Sequence, residues 1–240
     1  MSDILTGYVI KTNDVKDNDV ILSVYTKEYG VVSLYARGIK KSTSKNAFAC
    51  QLFDYSEFLI EMNQMKSMQL LKSATLKKEF LGIRSDYDRL SLASVVIELA
   101  GYLEEDNIFD LLDTTLKLLD SHKELFTVFE LFVVRYLDLL GLSPEVDGCV
   151  LCGDTRNIET ISVSDGGFVC RNCNRQLHLK PRDAGFLKNF RIINKASFKV
   201  LDKIEGLGLN EYRLSALLME FLMTHSGLTV RSWRSVSGSQ

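Results

Sequence analysis

The stretch CVLCGDTRNIETISVSDGGFVCRNC, residues 149–173, contains four of the chain's five cysteines in two C-x2-C pairs separated by seventeen residues. Two such pairs can place four thiolates at the corners of a tetrahedron, the usual arrangement of a structural zinc site. Between the pairs, Asp165-Gly166-Gly167 is typical of a hairpin turn. The spacing therefore predicts a zinc ribbon whose ligands are Cys149, Cys152, Cys170 and Cys173.

The redox compartment decides whether paired cysteines bind metal or form disulfides. The N-terminal residues MSDILTGYVI contain no basic leader and no small-residue cleavage signal. We therefore expect a cytoplasmic protein, in which cysteines stay reduced and available to a metal. A redox C-x-x-C would need a βαβ context and usually a single pair, and neither condition is met.

Four thiolates close the coordination sphere, whereas a catalytic zinc keeps one position open for water. We therefore expect one structural zinc ion. The nearest rival ligand is His178, for which a surface imidazole is the simpler interpretation. The fifth cysteine, Cys50, lies in an apolar stretch and is interpreted as a small buried hydrophobic residue.

The first 75 residues or so contain five short segments rich in β-branched and aromatic residues. TKEYG supplies a hairpin turn after the second segment, and Gly38 ends the third. Five strands in so short a length predict a small closed barrel of the OB type. The segments are ILTGYVIK, VILSVYT, VVSLYA, QLFDYSEFLIEM and SMQLLKS.

Near Lys77 the hydrophobic period becomes helical. Ser85 followed by Asp88 predicts a helix cap, and further helices precede and follow the ribbon. The predicted class is α+β: an OB-fold domain at residues 1–79, then an all-helical domain at 80–240 with the ribbon inserted at about 146–180. The predicted helices are LSLASVVIELAGYL, NIFDLLDTTLKLLDSH, the segment 125–140, AGFLKNFRII, SFKVLDKI and EYRLSALLMEFLMTH.

The most apolar stretch, LFTVFELFVVRYLDLLGL, contains Glu130, Arg135 and Asp138. On a helix these residues and Thr127 share one sector of roughly 140°. The pattern predicts a helix buried on most of its circumference and no membrane span. The chain carries a net charge of −2, which excludes a uniformly basic surface but leaves room for a local basic face.

Such a face is predicted at RGIKKSTSK, residues 37–45, which carries four cations and no acid between the third and fourth strands. Hydroxyl groups among the cations suit contact with a phosphate backbone. The stretch predicts a nucleic-acid contact loop, against the alternative of a solvated basic loop. Two interpretations are open for the rings of Tyr8, Tyr25 and Tyr35: they offer stacking faces to bases, or they belong to the core. The candidate contacts are Arg37, Lys40, Lys41 and Lys45, extended by Lys11 and Lys27 near strand ends.

Two weaker basic clusters follow, one of Arg175, Lys180 and Arg182, the other of Arg231 and Arg234 around Trp233. No motif indicates catalysis. GLGLNEYR, residues 206–213, lacks the third glycine of a dinucleotide fingerprint and follows a helical stretch. We therefore expect no enzymatic activity.

Several stretches share residues with a known family. In VIKTNDVKDNDVILSVYTKEYGVVSLYARGIKKSTSK they are Thr26, Gly30, Arg37, Gly38 and Lys41. FDLLDTTLKLL, FELFVVRYLDLLGLSPEVDGCVLCG and VRSWRSV continue the likeness. Nearly the whole chain thus resembles the RecO family of bacterial DNA repair proteins, which are recombination mediators. One departure is KDND at residues 16–19, where the family more often has a Gly-Glu pair.

The resemblance implies a non-enzymatic mediator that binds single- and double-stranded DNA, anneals complementary strands and helps load RecA onto strands coated by single-strand binding protein. It implies RecR and the C-terminal tail of that coating protein as partners, and location at the nucleoid when DNA is bound. A zinc-stabilised protein-protein adaptor is the alternative function. A metal-dependent hydrolase is a third, which would need an open metal sphere.

Overall fold

The computed structural model describes residues 2–63, 65–103 and 106–237. The chain divides into two compact units, one within residues 1–121 and one within residues 122–240. The first contains a closed barrel and the second contains the ribbon, each with helices. The predicted fold class, an N-terminal five-stranded barrel followed by helices, is confirmed. The predicted domain boundary between residues 79 and 80 stays a prediction.

The barrel is closed by parallel pairing of its third and fifth strands, in which Ser33 lies opposite Met68. Alternate residues point inward to an apolar core that includes Leu22, Val24 and Leu34. Cys50 belongs to this core, as predicted, and burial raises its pKa to about 12. Along the chain the strands are β1 (Ser2–Asp14), β2 (Val20–Thr26), β3 (Gly30–Ala36), β4 (Tyr55–Glu61) and β5 (Met68–Lys78). Around the barrel they are arranged in the order β1-β2-β3-β5-β4.

The fourth strand begins later than the sequence predicts. The prediction started at Gln51, but Phe53 has a left-handed backbone, with φ of 73°. A residue in this region cannot continue a pleated strand. The chain therefore turns through this segment, which follows a 3₁₀ helix at Phe48–Cys50, before β4 begins at Tyr55.

The described residues of the first unit also form the helices α1 (Leu81–Ser85), α2 (Tyr87–Ala100) and α3 (Asp106–Ser121). The predicted cap of α2 at Ser85 is wrong by one residue. Asp86 is the cap, and its side chain accepts a hydrogen bond of 2.9 Å from the Arg89 N–H. Ser85 still belongs to α1, where its hydroxyl donates to the Gly82 carbonyl, so the first extended residue before α2 is Asp86.

Helix α3 covers part of the outer surface of the barrel. The Tyr8 hydroxyl donates to Asp113 at 2.5 Å, and the Phe109 ring lies 5.8 Å from the Tyr8 ring and 6.4 Å from the Tyr25 ring. Both tyrosines are buried, so they are core residues and not stacking faces. Tyr35 is half-buried and remains accessible.

The second unit consists of helices around the inserted ribbon, as predicted. The ribbon comprises β6 (Ile158–Ser162), β7 (Gly167–Cys170) and α5 (Arg171–Leu177). In the part of the chain that the structure describes, no helix is long and apolar enough to cross a membrane. The other helices are α4 (Leu125–Leu139), α6 (Ala184–Lys195), α7 (Leu201–Ile204), α8 (Tyr212–Ser226) and α9 (Trp233–Ser237), with a 3₁₀ helix at Phe198–Val200.

Burial of α4 extends beyond the predicted apolar face. Glu130 and Thr127 belong to the polar sector, yet both are fully buried. Glu130 accepts a hydrogen bond of 2.8 Å from the Ser215 hydroxyl of α8, and its Oε2 has no partner among the described residues. Burial raises the pKa of Glu130 well above its ordinary value. Folding therefore favours the protonated form of this side chain.

This buried acid predicts a pH-dependent stability. The folded state keeps the proton that an unfolded glutamate releases above about pH 4.3, so stability falls as pH rises from there towards the raised pKa. This group lowers the free energy of unfolding by roughly 1.4 kcal/mol for each pH unit in that range. Glu130→Gln cannot ionise, so it removes this pH dependence while keeping an acceptor for the Ser215 hydroxyl. Thermal midpoints at pH 5 to 8 should diverge in favour of the variant. The prediction is contradicted if the midpoints of the wild type and Glu130→Gln change with pH in parallel. It is also contradicted if the exposed control Glu220→Gln diverges from the wild type as much as Glu130→Gln does.

Candidate metal centre and nucleic-acid interface

The first cysteine pair lies in a tight turn. The Gly153 N–H donates to the Cys149 carbonyl at 2.8 Å, and the Cys149 N–H donates to the Asp154 carbonyl at 2.8 Å. Gly153 has φ of +74°, a left-handed conformation that glycine adopts at little cost. The backbone N–H groups of Leu151 and Cys152 form hydrogen bonds with the Cys149 sulfur.

The second pair lies where the ribbon passes into α5. Cys170 ends β7 and precedes the first residue of the helix, and Cys173 follows in the first helical turn. Val169 is buried with Cys149 and Cys170 in a small apolar cluster, and Leu177 packs against this cluster. The hairpin between the pairs forms as predicted, with Ser162 opposite Gly167.

The hairpin and α5 bring the four sulfur atoms together. All four lie within 4.8 Å of one another, and those of Cys152 and Cys170 are 3.7 Å apart. A tetrahedral site with metal–sulfur bonds of about 2.3 Å needs sulfur–sulfur distances of about 3.8 Å. The cluster therefore fits one metal ion. His178 does not belong to it.

The protonation of the cluster also favours a cation. Burial opposes ionisation of Cys149, but the N–H groups of Cys170, Leu151 and Cys152 outweigh it and lower its pKa to about 6. Hydrogen bonds with Cys152 and Cys170 raise the pKa of Cys173 to about 12. Four sulfur atoms this close together cannot all carry a negative charge without a cation. A bound cation would displace the remaining protons.

The ribbon is fastened to two helices of its unit. Asp147 forms ion pairs with Arg191 at 2.9 Å and Lys195 at 2.5 Å, both on α6. The Phe168 and Phe190 rings are 5.9 Å apart, and the His225 Nε2 of α8 lies 2.6 Å from the Val163 carbonyl. That contact accounts for His225 without a metal. A metal that holds the ribbon in shape thereby also holds these attachments.

The predicted basic loop, residues 37–45, has a fixed backbone. The Gly38 N–H donates to Asp19 at 2.8 Å, the Lys40 N–H donates to the Asn18 carbonyl at 3.1 Å, and Ile39 is buried in the barrel core. Hydrogen bonds from the Tyr35 hydroxyl and the Gly38 N–H lower the pKa of Asp19. The KDND segment that departs from the family pattern therefore anchors the basic loop.

The predicted cations are not equivalent. Lys11, Arg37, Lys41 and Lys45 are exposed and form no ion pair with any residue in 2–63, 65–103 or 106–237. Lys40 forms an ion pair with Asp14. Lys27 lies at the other end of the β2–β3 hairpin from Arg37, about 20 Å along the strands, and pairs with Asp110 at 3.0 Å.

An open face lies between these cations on the outside of the barrel. Lys11, Ser23 and Ser33 are cross-strand neighbours on β1, β2 and β3 and point away from the core. A depression of about 210 Å³ at one end of this face is lined by Arg37 and Lys66, together with Tyr35 and Glu61. The Glu61 carboxylate forms an ion pair with Lys72. Sequence reasoning missed Lys66. The rule that the loop after the fourth OB strand flanks the binding face is the signal that finds it.

Two family models together match most of the chain. The model described as Recombination protein O N terminal matches residues 1–80, and that described as Recombination protein O C terminal matches residues 84–234. The chain belongs to the RecO family. The resemblance predicted from the sequence is thereby confirmed.

Curated RecO proteins match over most of their length. DNA repair protein RecO of Halalkalibacterium halodurans is 28% identical over 234 residues, covering 95% of this chain and 91% of that protein. DNA repair protein RecO of Bacillus subtilis is 27% identical over 240 residues, covering 95% and 91%. That of Syntrophus aciditrophicus is 31% identical over 175 residues, covering 70% and 68%. These RecO proteins are named for DNA repair, and the family name denotes no enzymatic reaction.

Proposed function

We propose that this RecO-family chain is a non-enzymatic recombination mediator. It binds single- and double-stranded DNA through the barrel, anneals complementary strands and helps load RecA onto strands coated by single-strand binding protein. The observation that carries the proposal is the open barrel face with Arg37 and Lys66 at its end. The proposed contacts are Lys11, Arg37, Lys41, Lys45 and Lys66.

The chemistry of this face suits a phosphate backbone. Its cations have no carboxylate partner in the described part of the chain, so a bound phosphate does not have to displace an ion pair. Ser23 and Ser33 add hydroxyl groups, and Tyr35, whose own hydroxyl donates to Asp19, adds an aromatic ring for stacking. Asp14, the last residue of β1, forms an ion pair with Lys40, and Asp19 accepts a hydrogen bond from the Gly38 N–H. These two acids make that side of the rim less positive.

The contribution of Lys40 and Lys27 to DNA binding stays a prediction. Both cations already have a carboxylate partner, Asp14 for Lys40 and Asp110 for Lys27. A phosphate would compete with that partner, so we expect each of the two to contribute less than Arg37 or Lys41. Exposed ion pairs are weak enough for such an exchange to occur.

We infer that the metal is one structural zinc ion bound by Cys149, Cys152, Cys170 and Cys173. Tetrahedral four-sulfur sites in proteins hold zinc or iron–sulfur clusters, and two C-x2-C turns around a hairpin are typical of the zinc class. Four protein ligands leave no position for a reacting water, which disfavours the hydrolase hypothesis. When bound, the ion supplies a rigid link between the two turns.

The proposed partners follow from membership of the RecO family. We infer that the chain binds RecR and the C-terminal tail of single-strand binding protein, and that RecA is reached indirectly. We infer a cytoplasmic location and association with the nucleoid when DNA is bound. Each of these partners is tested by adding it to a strand-annealing reaction and measuring the annealing rate.

The test is a titration of labelled single-stranded DNA at low and physiological salt. We expect saturable binding whose logarithmic salt slope is about −0.7 for each phosphate neutralised, because cation–phosphate contacts release counterions. Complementary strands coated with single-strand binding protein should then anneal faster when the chain is added. The adaptor alternative predicts no saturable binding at either salt concentration, and that result would overturn the proposal.

A further inference from the structure

A second surface rich in hydrogen-bond donors lies on helix α5 of the ribbon. Its exposed residues are Arg171, Asn172, Arg175 and Gln176, while Asn174 is buried. These exposed side chains carry two guanidinium groups and two amides and no carboxylate. The face is therefore positive and can donate hydrogen bonds over its whole width.

The segment after α5 extends this surface with Lys180 and Arg182, both exposed. Its backbone is hydrogen-bonded to β6: the Thr160 hydroxyl donates to the Lys180 carbonyl at 2.8 Å, and the Arg182 N–H donates to the Glu159 carbonyl at 2.9 Å. The Leu179 N–H donates to the buried Asn174 side chain. The two cations therefore project from a fixed frame.

Two carboxylates lie nearby, and both are already engaged. Glu159 accepts from Arg171 Nε at 3.0 Å and from Asn174 Nδ2 at 2.9 Å. Asp183 accepts from the Phe186 N–H at 2.7 Å and caps α6. Arg175, Lys180 and Arg182 form no ion pair with any residue in the described ranges 2–63, 65–103 and 106–237.

We propose that this surface is a second polynucleotide-binding site, with Arg171, Arg175, Lys180 and Arg182 as its phosphate contacts. Guanidinium groups bind phosphate oxygens in pairs, and neutral amides add further donors. An acidic peptide fits less well. From Arg171 to Arg182, a stretch that is fully described, no large apolar side chain is exposed to anchor one.

A second site gives strand annealing a physical basis, because the reaction needs two strands held by one protein or complex. This role rests on the proposed function, since the barrel would hold the first strand. The binding itself does not, because the ribbon surface belongs to the other compact unit and has its own cations. The two sites can therefore succeed or fail separately in an experiment.

The experiment counts short oligonucleotides, about fifteen thymidines long, bound per zinc-loaded chain. The ribbon variant is Arg175→Gln, Lys180→Gln and Arg182→Gln; Arg171 is kept because it pairs with Glu159. The matched control is Lys123→Gln, Lys199→Gln and Lys203→Gln, which removes three exposed cations of the same unit. The barrel variant is Arg37→Gln, Lys41→Gln, Lys45→Gln and Lys66→Gln. Zinc content is measured in every variant.

We expect two oligonucleotides per wild-type and control chain and one per ribbon variant, whose annealing rate falls at least about tenfold. Loss of three contacts should reduce the salt slope of the second site by about 2. If the wild-type chain binds one oligonucleotide and only the barrel variant loses it, this inference is overturned and the proposed function stands. If the wild-type chain binds one oligonucleotide and only the ribbon variant loses it, the ribbon site is supported and the barrel site is overturned. No binding overturns both, and equal losses in the control and the ribbon variant overturn this site.

Discussion

Removal of the metal from the four-cysteine cluster should lower the thermal midpoint of the chain by at least about 10 °C. The ribbon has a small core around Val169, and four sulfurs within 4.8 Å of one another cannot all ionise without a cation. We therefore expect metal binding energy to be part of the folding energy of the ribbon. The measurement is a melting curve with and without a strong chelator, accompanied by metal analysis. Cys152→Ser should reproduce the chelated curve.

Cys50 provides the control for this prediction. It is buried in the barrel core and belongs to no ligand cluster among the described residues, so Cys50→Ala should retain one ion per chain and its response to the chelator. A cobalt-substituted sample should show the spectrum of four thiolates without water. Full metal content in Cys152→Ser, or melting indifferent to the chelator, would contradict the structural role. A cobalt spectrum that shows a water ligand would instead support the hydrolase hypothesis.

Local spacing is what made the ribbon predictable. Two residues between Cys149 and Cys152 fix a turn, and a hairpin signal at Asp165 brings the second pair back to the first. The pattern of α4 was equally local, and its predicted span of residues 125–140 differs from Leu125–Leu139 by one residue. These features depend on near neighbours in sequence and need little knowledge of the tertiary fold.

The features that sequence reasoning missed depend on distant partners. The burial of Glu130 depends on Ser215, 85 residues away, which supplies the hydrogen bond that makes it tolerable. In the sequence, Lys27 cannot be distinguished from the other cations, because its partner Asp110 lies on α3, 83 residues away. Lys66 has no basic neighbour in sequence, and only closure of the barrel places it in the same depression as Arg37.

Neutralising the barrel face should weaken single-strand binding by at least about a hundredfold at physiological salt. The variant is Arg37→Gln, Lys41→Gln, Lys45→Gln and Lys66→Gln, and each cation it removes is exposed and without an ion pair among the described residues. Loss of up to four phosphate contacts should reduce the salt slope by up to about 3. Fluorescence anisotropy over a series of salt concentrations measures both quantities.

The matched control separates a specific face from general loss of charge. Lys77, Lys117, Arg135 and Lys195 lie outside the proposed contacts, and each forms an ion pair, with Glu57, Asp113, Asp138 and Asp147 respectively. Changing all four to glutamine alters the net charge as much as the barrel variant does. Binding by that control should change no more than about fivefold, because long-range attraction between exposed charges is largely screened. Equal losses in both variants would mean that net charge, and not the face beside Arg37, attracts the strand.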